Sequence, residues 1–600
     1  MVFSLYYQKN KNEELFKTLE NSQLGLHDLQ NYVPLYENFF SLNDTNFNSI
    51  NLNQKYYLYS LIQEESGKNT IKAQVADISN NIFEREVFCK FSPLLDPLKY
   101  LTGKYDISSN NDIPLPQYNT DTPFPKLHDK NNAAYIDSFF TYLSSQLLHN
   151  YAFLNCIDYY GSFLGKQKKF QYNIVDDIDY LNESDNFHKT KNEYYSIDND
   201  DHANIFNIDT RTNKKRLVIN GKLPDITLDS FNNDDFSLFT TDHEIIDTTI
   251  NTDKNVNNNI QIIDLSQVCI YDQPILKSKT SGTESVSSES TYSSKSSNTS
   301  IYDFSSDDEN ENENENDHTN RDSNIDGCLD SEDDTSCSSS DCEHEEDVFC
   351  SIFNFPIQMI TMEKCENTLD YLMENDLLDI NEWTSCLFQI IITLSLYQKT
   401  FSFTHNDLHT NNIMYVPTNK QFLYYSLNNV TYKVPTYGKL YKIIDFGRSI
   451  YKFNGKIMCS DSFHPKGDAA SQYNCEPYLD NNKPRLDPNP SFDLCRLACC
   501  LYDHFVEDIF EAELVFKHNK LAKMIASWLT DDKDRNILYK TSGEERYPEF
   551  KLYKMIARTV HNAIPHQQLS NEVFTSYVIS KKKLNKNIKI MNLDKIPNLQ

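Results

Sequence analysis

Two stretches decide how this chain is read: T-H-N-D-L-H-T-N-N-I-M-Y at 404–415 and Y-K-I-I-D-F-G-R-S at 441–449. Asp407 sets a carboxylate in a polar loop, where it can take the proton of a hydroxyl group. Asn412 lies five residues further on, and Asp445 follows the apolar pair Ile443-Ile444. An amide and a carboxylate are both oxygen donors, the type a hard divalent cation selects. Each stretch adjoins an apolar, strand-like run, so each loop has a rigid element to hold it.

Together they match H-R-D-L-x-x-x-N followed by D-F-G. His405, Asp407, Leu408 and Asn412 fit the first pattern; Asp445, Phe446 and Gly447 fit the second. On these motifs the chain resembles the protein kinase superfamily. The resemblance implies an α+β, bilobal fold with an antiparallel-sheet small lobe and a mainly helical large lobe. It implies transfer of the ATP γ-phosphate to a hydroxyl, with Asp407 as base and Asn412 and Asp445 holding Mg²⁺, or Mn²⁺ in its place. His405 is then a packing and hydrogen-bonding residue, and Phe446 and Gly447 are structural.

The departures are informative. His409 stands where a protein kinase often has a lysine touching the γ-phosphate. D-L-H-x-x-N resembles haspin and also the aminoglycoside and choline type of small-molecule kinase. Asn406 replaces the arginine that binds a phosphorylated activation loop, which implies activity independent of such phosphorylation. A-P-E is absent, and E-P-Y at Glu476 is the nearest equivalent. Asp493, in S-F-D-L-C-R-L, matches the buried aspartate expected to bond the catalytic-loop backbone. The 38 residues from Asp407 to Asp445 exceed the usual spacing, and the alternating segment within them predicts an elongated hairpin.

Upstream, Y-Y-L-Y-S-L-I, T-I-K-A-Q-V-A and E-V-F-C-K-F predict three strands from Tyr56 onward. The turn between the first two carries only Gly67 where kinases have a glycine-rich loop. Val87-Phe88-Cys89-Lys90 resembles V-A-I-K, which makes Lys90 the phosphate-placing lysine, with Lys72 and Lys99 as competitors. Helical spacing over 131–150 contains one acid, Asp137. It is either the partner of the strand lysine or a solvated residue. Residues 155–165 predict the fourth strand and 357–373 the fifth strand and hinge, with Met362, Glu363, Lys364 and Cys365 presenting backbone to adenine. A helix from about Asn381 leads into the catalytic loop.

The chain of 600 residues carries a net charge of −31, of which −19 lies in residues 281–350. A basic footprint for nucleic acid is therefore lacking, and no specific nucleic-acid binding is expected. The 14 cysteines form no C-x-x-C pair, which favours reduced thiols over a zinc site. Neither a signal peptide nor a membrane-spanning run is read, so an intracellular location is expected, host cytoplasm or virion if viral.

The organisation expected is an extension at 1–50, the first part of the small lobe at 51–166, an insertion with strand-like runs at 167–276 and an acidic Ser/Asn-rich insertion at 277–349. The last small-lobe strand and hinge follow at 350–367, then the large lobe at 368–580 and a basic tail at 581–600. The acidic insertion has too few apolar residues to offset its ordering entropy, so disorder is expected there. Ser305, Ser306 and Ser331 precede acids and are candidate phosphate acceptors. The composition, the split small lobe and D-A-A-S-Q-Y-N resemble serine/threonine kinases of large DNA viruses of the mimivirus type. A serine/threonine protein kinase is the leading expectation. A small-molecule kinase and a pseudokinase scaffold, the latter suggested by the glycine-poor phosphate loop, are the alternatives.

Overall fold

A computed structural model describes residues 3–64, 69–106, 113–120, 123–197, 348–548, 550–585 and 588–600. Gly67, the strand-like runs beyond 197, and Ser305, Ser306 and Ser331 lie outside them. Within them the chain is α+β, with antiparallel sheets and several helices.

The main sheet has seven strands: β1 (Leu26–Gln30), β2 (Tyr56–Glu64), β3 (Thr70–Asp77), β4 (Ile82–Pro93), β5 (Tyr159–Asn173), β6 (Tyr195–Ile197) and β7 (Phe349–Glu363). Their spatial order is β1-β5-β7-β4-β3-β2, with β6 also on β7. All pairings are antiparallel, and Lys90 on β4 stands opposite Ile360 on β7. On β3, Ile71, Ala73 and Val75 are buried while Lys72 is exposed, the period-two pattern of a sheet with one covered face.

Three segments differ from expectation. The first 50 residues are more than an extension: Leu15, Leu19, Leu26 and Leu35 are buried, and β1 extends the sheet beside β5. Strand β5 runs on to Asn173 instead of stopping at Gly165, and β7 begins at Phe349, because the two pair along their whole length. At the other end, Lys581 and Lys582 of the basic tail are exposed, but Met591, Leu593, Ile596 and Leu599 are buried. There the Lys399 ammonium donates to the Leu593 and Ile596 carbonyls, and Leu599 N donates to Thr400 O at 2.9 Å. A few apolar residues spaced along a polar segment suffice to dock it once backbone partners exist.

Helix α1 (Ala133–Tyr151) is capped by Asn132, whose side chain accepts from Ala134 N at 3.1 Å. Helix α2 (Ile380–Phe401) begins with a full capping box between Asp379 and Glu382. The two are linked by a Ser144–Tyr397 hydroxyl pair at 2.8 Å. Beyond α2, β8 (Ile413–Pro417) pairs with β11 (Lys439–Ile443), and between them β9 (Phe422–Leu427) and β10 (Val430–Pro435) form the long hairpin. Its two-residue turn is Asn428-Asn429, at φ 51° and 64°, a conformation asparagine tolerates and a hairpin turn requires. β12 (Ile450–Phe453) and β13 (Lys456–Cys459) follow, then helices α3 (Phe492–Phe505), α4 (Lys520–Trp528) and α5 (Phe550–Thr559). Among the described residues every cysteine is a free thiol, and no helix is long and apolar enough to cross a membrane.

Candidate active site

The pairing of β8 with β11 does the first work of assembly. It sets Ile413 opposite Ile443, and Ile444 N donates to Asn412 O at 3.0 Å. Asn412 and Asp445, 33 residues apart in sequence, thereby flank adjacent strand ends.

Lys90 reaches this place from β4. Its ammonium lies 2.6 Å from Asp137 Oδ2 and 2.8 Å from Asp445 Oδ1. The other oxygen of Asp137 accepts the Phe446 amide at 2.9 Å, so one buried carboxylate holds both the lysine and the D-F-G backbone. Asp137 is only 2% exposed and the solvated alternative does not describe it. Of the competing lysines, Lys99 pairs with Asp96 at 3.3 Å within its own helical turn, and Lys72 is an exposed residue of β3. Burial works against the charge on Lys90, but Asp137 and Asp445 outweigh it and hold its pKa above the usual lysine range. Burial raises the Asp137 pKa, with Lys90 opposing. For Asp445, Lys90 overcomes the burial cost and brings the pKa below the ordinary carboxylate value.

Asp445 adopts φ 62°, a left-handed conformation rare for a residue with a Cβ and concentrated where geometry serves a site. Phe446 is fully buried against Phe140, at a ring separation of 4.7 Å, and lies 5.7 Å from the His405 ring. A Cβ on Gly447 would meet Asp445 Oδ1 only at ordinary contact distance, 3.5 Å.

The backbone of the loop that carries Asp407 hangs from Asp493 at the start of α3. Its carboxylate accepts His405 N at 2.9 and 3.0 Å and Asn406 N at 3.0 Å. His405 Nε2 faces Ile444 O at 2.9 Å, so the ring braces the strand leading to Asp445. Asn406, at φ 62°, fills the place of the expected arginine with neutral bonds. Its amide nitrogen donates to Arg448 O at 3.1 Å, and its oxygen accepts the Tyr473 hydroxyl at 2.8 Å.

Asn412 Nδ2 donates to Asp407 O at 2.9 Å and faces His409 Nε2 at 3.1 Å. Burial lowers the His409 pKa, with Asp407 opposing, so the ring is neutral near pH 7 and its Nε2 accepts from Asn412. In this geometry His409 orients the amide and carries no positive charge. Both bonds of the Asn412 amide are made by nitrogen, which leaves Oδ1 as the end to meet a cation. One amide oxygen and one carboxylate fit Mg²⁺, which keeps several waters and takes phosphate oxygens rather than a full protein cage. No cluster of three or more His, Cys, Asp or Glu able to hold a metal occurs among the described residues.

At the hinge, Met362 and Glu363 are the last residues of β7, opposite Phe88 and Val87. The Glu363 amide is committed to Asp158 O at 3.0 Å, and its carboxylate pairs with the buried Lys442 at 2.5 Å. Adenine would therefore meet Glu363 through its carbonyl alone. Lys364 pairs with Glu86 at 3.1 Å, and Cys365 is buried.

Two contacts had no signal in the sequence. Tyr553 on α5 donates its hydroxyl to Asp407 Oδ1 at 3.1 Å. Asp461 accepts Ala133 N at 3.1 Å and pairs with Lys126, so a carboxylate from the segment after D-F-G sits at the N-terminus of α1. That carboxylate supplies the negative charge that a phosphate could bring to the same helix end. Phosphatase treatment is expected to leave activity unchanged. Asp461→Ala is expected to loosen the first turn of α1 by ~1–2 kcal/mol, seen as faster amide exchange over residues 133–137.

No family model matches the chain. It is 29% identical over 117 residues to mouse serine/threonine-protein kinase haspin, a match spanning 20% of this chain and 14% of haspin. It is 32% identical over 100 residues to an Acanthamoeba polyphaga mimivirus protein bearing a serine/threonine-protein kinase name, over 15% of this chain and 21% of that protein. A kinase-named protein of invertebrate iridescent virus 3 is 31% identical over 94 residues, 14% of this chain and 16% of that one. The chain thus resembles serine/threonine kinases, including those of large DNA viruses, and its matches span less than a quarter of the length of each of these relatives.

Proposed function

We propose that this chain is an ATP-dependent serine/threonine protein kinase of bilobal form, with the main sheet as small lobe and the helices beyond the hinge as large lobe. The observation that carries the reading is the Lys90 ammonium held between Asp137 and Asp445, with Asp137 also bonded to the Phe446 amide. Phosphoryl transfer asks the protein mainly for positioning and electrostatics. Lys90 would place the nucleotide phosphates, Asn412 and Asp445 would hold Mg²⁺ or Mn²⁺, and Asp407 would orient the acceptor hydroxyl and accept its proton. The metal, when bound, neutralises charge on the phosphates. Intracellular action, in host cytoplasm or virion, accords with the viral relatives.

The test uses purified protein, labelled ATP with Mg²⁺, casein or myelin basic protein, and a panel of small alcohols. Label on protein serine or threonine that disappears in Asp445→Ala supports the reading. Label on a small alcohol instead assigns a small-molecule kinase. Failure to bind nucleotide at all assigns a scaffold.

A further inference from the structure

Asp407 has two oxygens, and they face different neighbours. Oδ1 accepts the Tyr553 hydroxyl at 3.1 Å, while Oδ2 lies 4.0 Å from His409 Nε2. Tyr553 is itself held on three sides. Arg496 Nε donates to its hydroxyl oxygen at 2.8 Å, and the Arg496 guanidinium lies 5.2 Å from its ring centroid. Phe550 stacks on it at 5.6 Å, and Phe492 lies at 5.9 Å. Burial, reinforced by Asp407, pushes the phenol up to about 12, so at neutral pH it keeps its proton and donates it.

We infer that Tyr553, fixed by Arg496, is a positioning residue that occupies one oxygen of Asp407 and leaves the other to receive the acceptor hydroxyl. The inference deepens the kinase reading and rests on it. An unconstrained carboxylate turns about its Cβ–Cγ bond and offers either oxygen to acceptor or water. A hydroxyl donor on Oδ1 removes that choice, and the guanidinium behind it strengthens the donor by polarising it.

The experiment compares wild type with Tyr553→Phe, which keeps the ring, its stacking and the guanidinium over its face, and removes the hydroxyl together with the bond it accepts from Arg496 Nε. Phosphoryl transfer to protein and ATP hydrolysis without acceptor are measured together with thermal stability. The expected result is a kcat for transfer lower by about tenfold, a KM for ATP within about twofold of wild type, and a higher ratio of hydrolysis to transfer. Arg496→Lys, which keeps a charge near the ring but loses the Nε bond, should shift the same ratio in the same direction. Wild-type activity with an unchanged ratio and kcat in Tyr553→Phe overturns the inference and leaves the kinase reading intact. A fall in kcat accompanied by an equal rise in KM for ATP and a lowered melting temperature also overturns it, since that is a structural role. Wild-type protein that neither binds nor turns over ATP overturns both.

Discussion

Lys90→Met is expected to lower phosphoryl transfer by ~10²–10³-fold, the loss typical of removing one preorganised electrostatic contact at a reacting centre. The same change should also destabilise the protein before any nucleotide arrives. Asp137 and Asp445 share that ammonium at 2.6 and 2.8 Å, and Asp137 has almost no exposure to water. Removing one partner of a buried charge set costs about 3–5 kcal/mol, because the remaining charge is stranded. The pH dependence gives the sign. Without Lys90 the two carboxylates gain a folded-state pKa above that of the unfolded chain, near 3.9. Their contribution is then favourable below the unfolded value and is lost as pH rises through the folded one. The melting temperature of Lys90→Met should therefore lie furthest below wild type at pH 7–8 and converge toward it as pH approaches about 4. A deficit that is constant with pH would mean that the lysine is not the counter-ion of these acids.

The second large effect is expected at Asp493, which never touches a reacting atom. Its carboxylate is the acceptor for two consecutive backbone amides, His405 N and Asn406 N, in a site with no exposure. Asp493→Asn keeps the shape and replaces an acceptor oxygen with an NH₂ group aimed at N–H donors. Hydrogen bonds to a charged group contribute ~1.5–3 kcal/mol each, and an unsatisfied buried donor costs about 1–3 kcal/mol. A loss on the order of 3–5 kcal/mol is expected, with transfer reduced by at least ~10²-fold because Asp407 loses its mounting. Denaturant titration and initial rates, measured on the folded fraction, check both halves.

The parts legible in the sequence were those written locally. The two motifs, the period of α1 and α2, the alternation of the three strands from Tyr56, and the hairpin between Asp407 and Asp445 all follow from neighbours within a few residues. Asp493 was legible because its motif names it. What escaped were contacts made by residues that carry no pattern. Tyr553 and Asp407 are 146 residues apart, and nothing in E-R-Y-P-E-F-K-L-Y-K separates a packing tyrosine from one that reaches a carboxylate. Asp461 sits among D-S-F-H-P-K, which reads as any polar loop until Lys126 and the N-terminus of α1 are brought beside it. Strand β1 is five residues with two apolar ones, too short for alternation to stand out, and it exists because β5 offers it an edge. His409 shows a different limit. Its position marked it for the nucleotide, whereas its neutral ring and the Asn412 amide define what it does in the folded chain.

The neutral bridge from Tyr473 through Asn406 to Arg448 has a consequence for the biology of such an enzyme. A guanidinium at that position would wait for a modified loop, and the catalyst would be made idle and later armed. An asparagine satisfied by a tyrosine hydroxyl and a carbonyl waits for nothing. On the kinase reading, the loop that carries Asp407 is held at this point without a phosphate. Any restraint on it then has to act somewhere other than at this bridge.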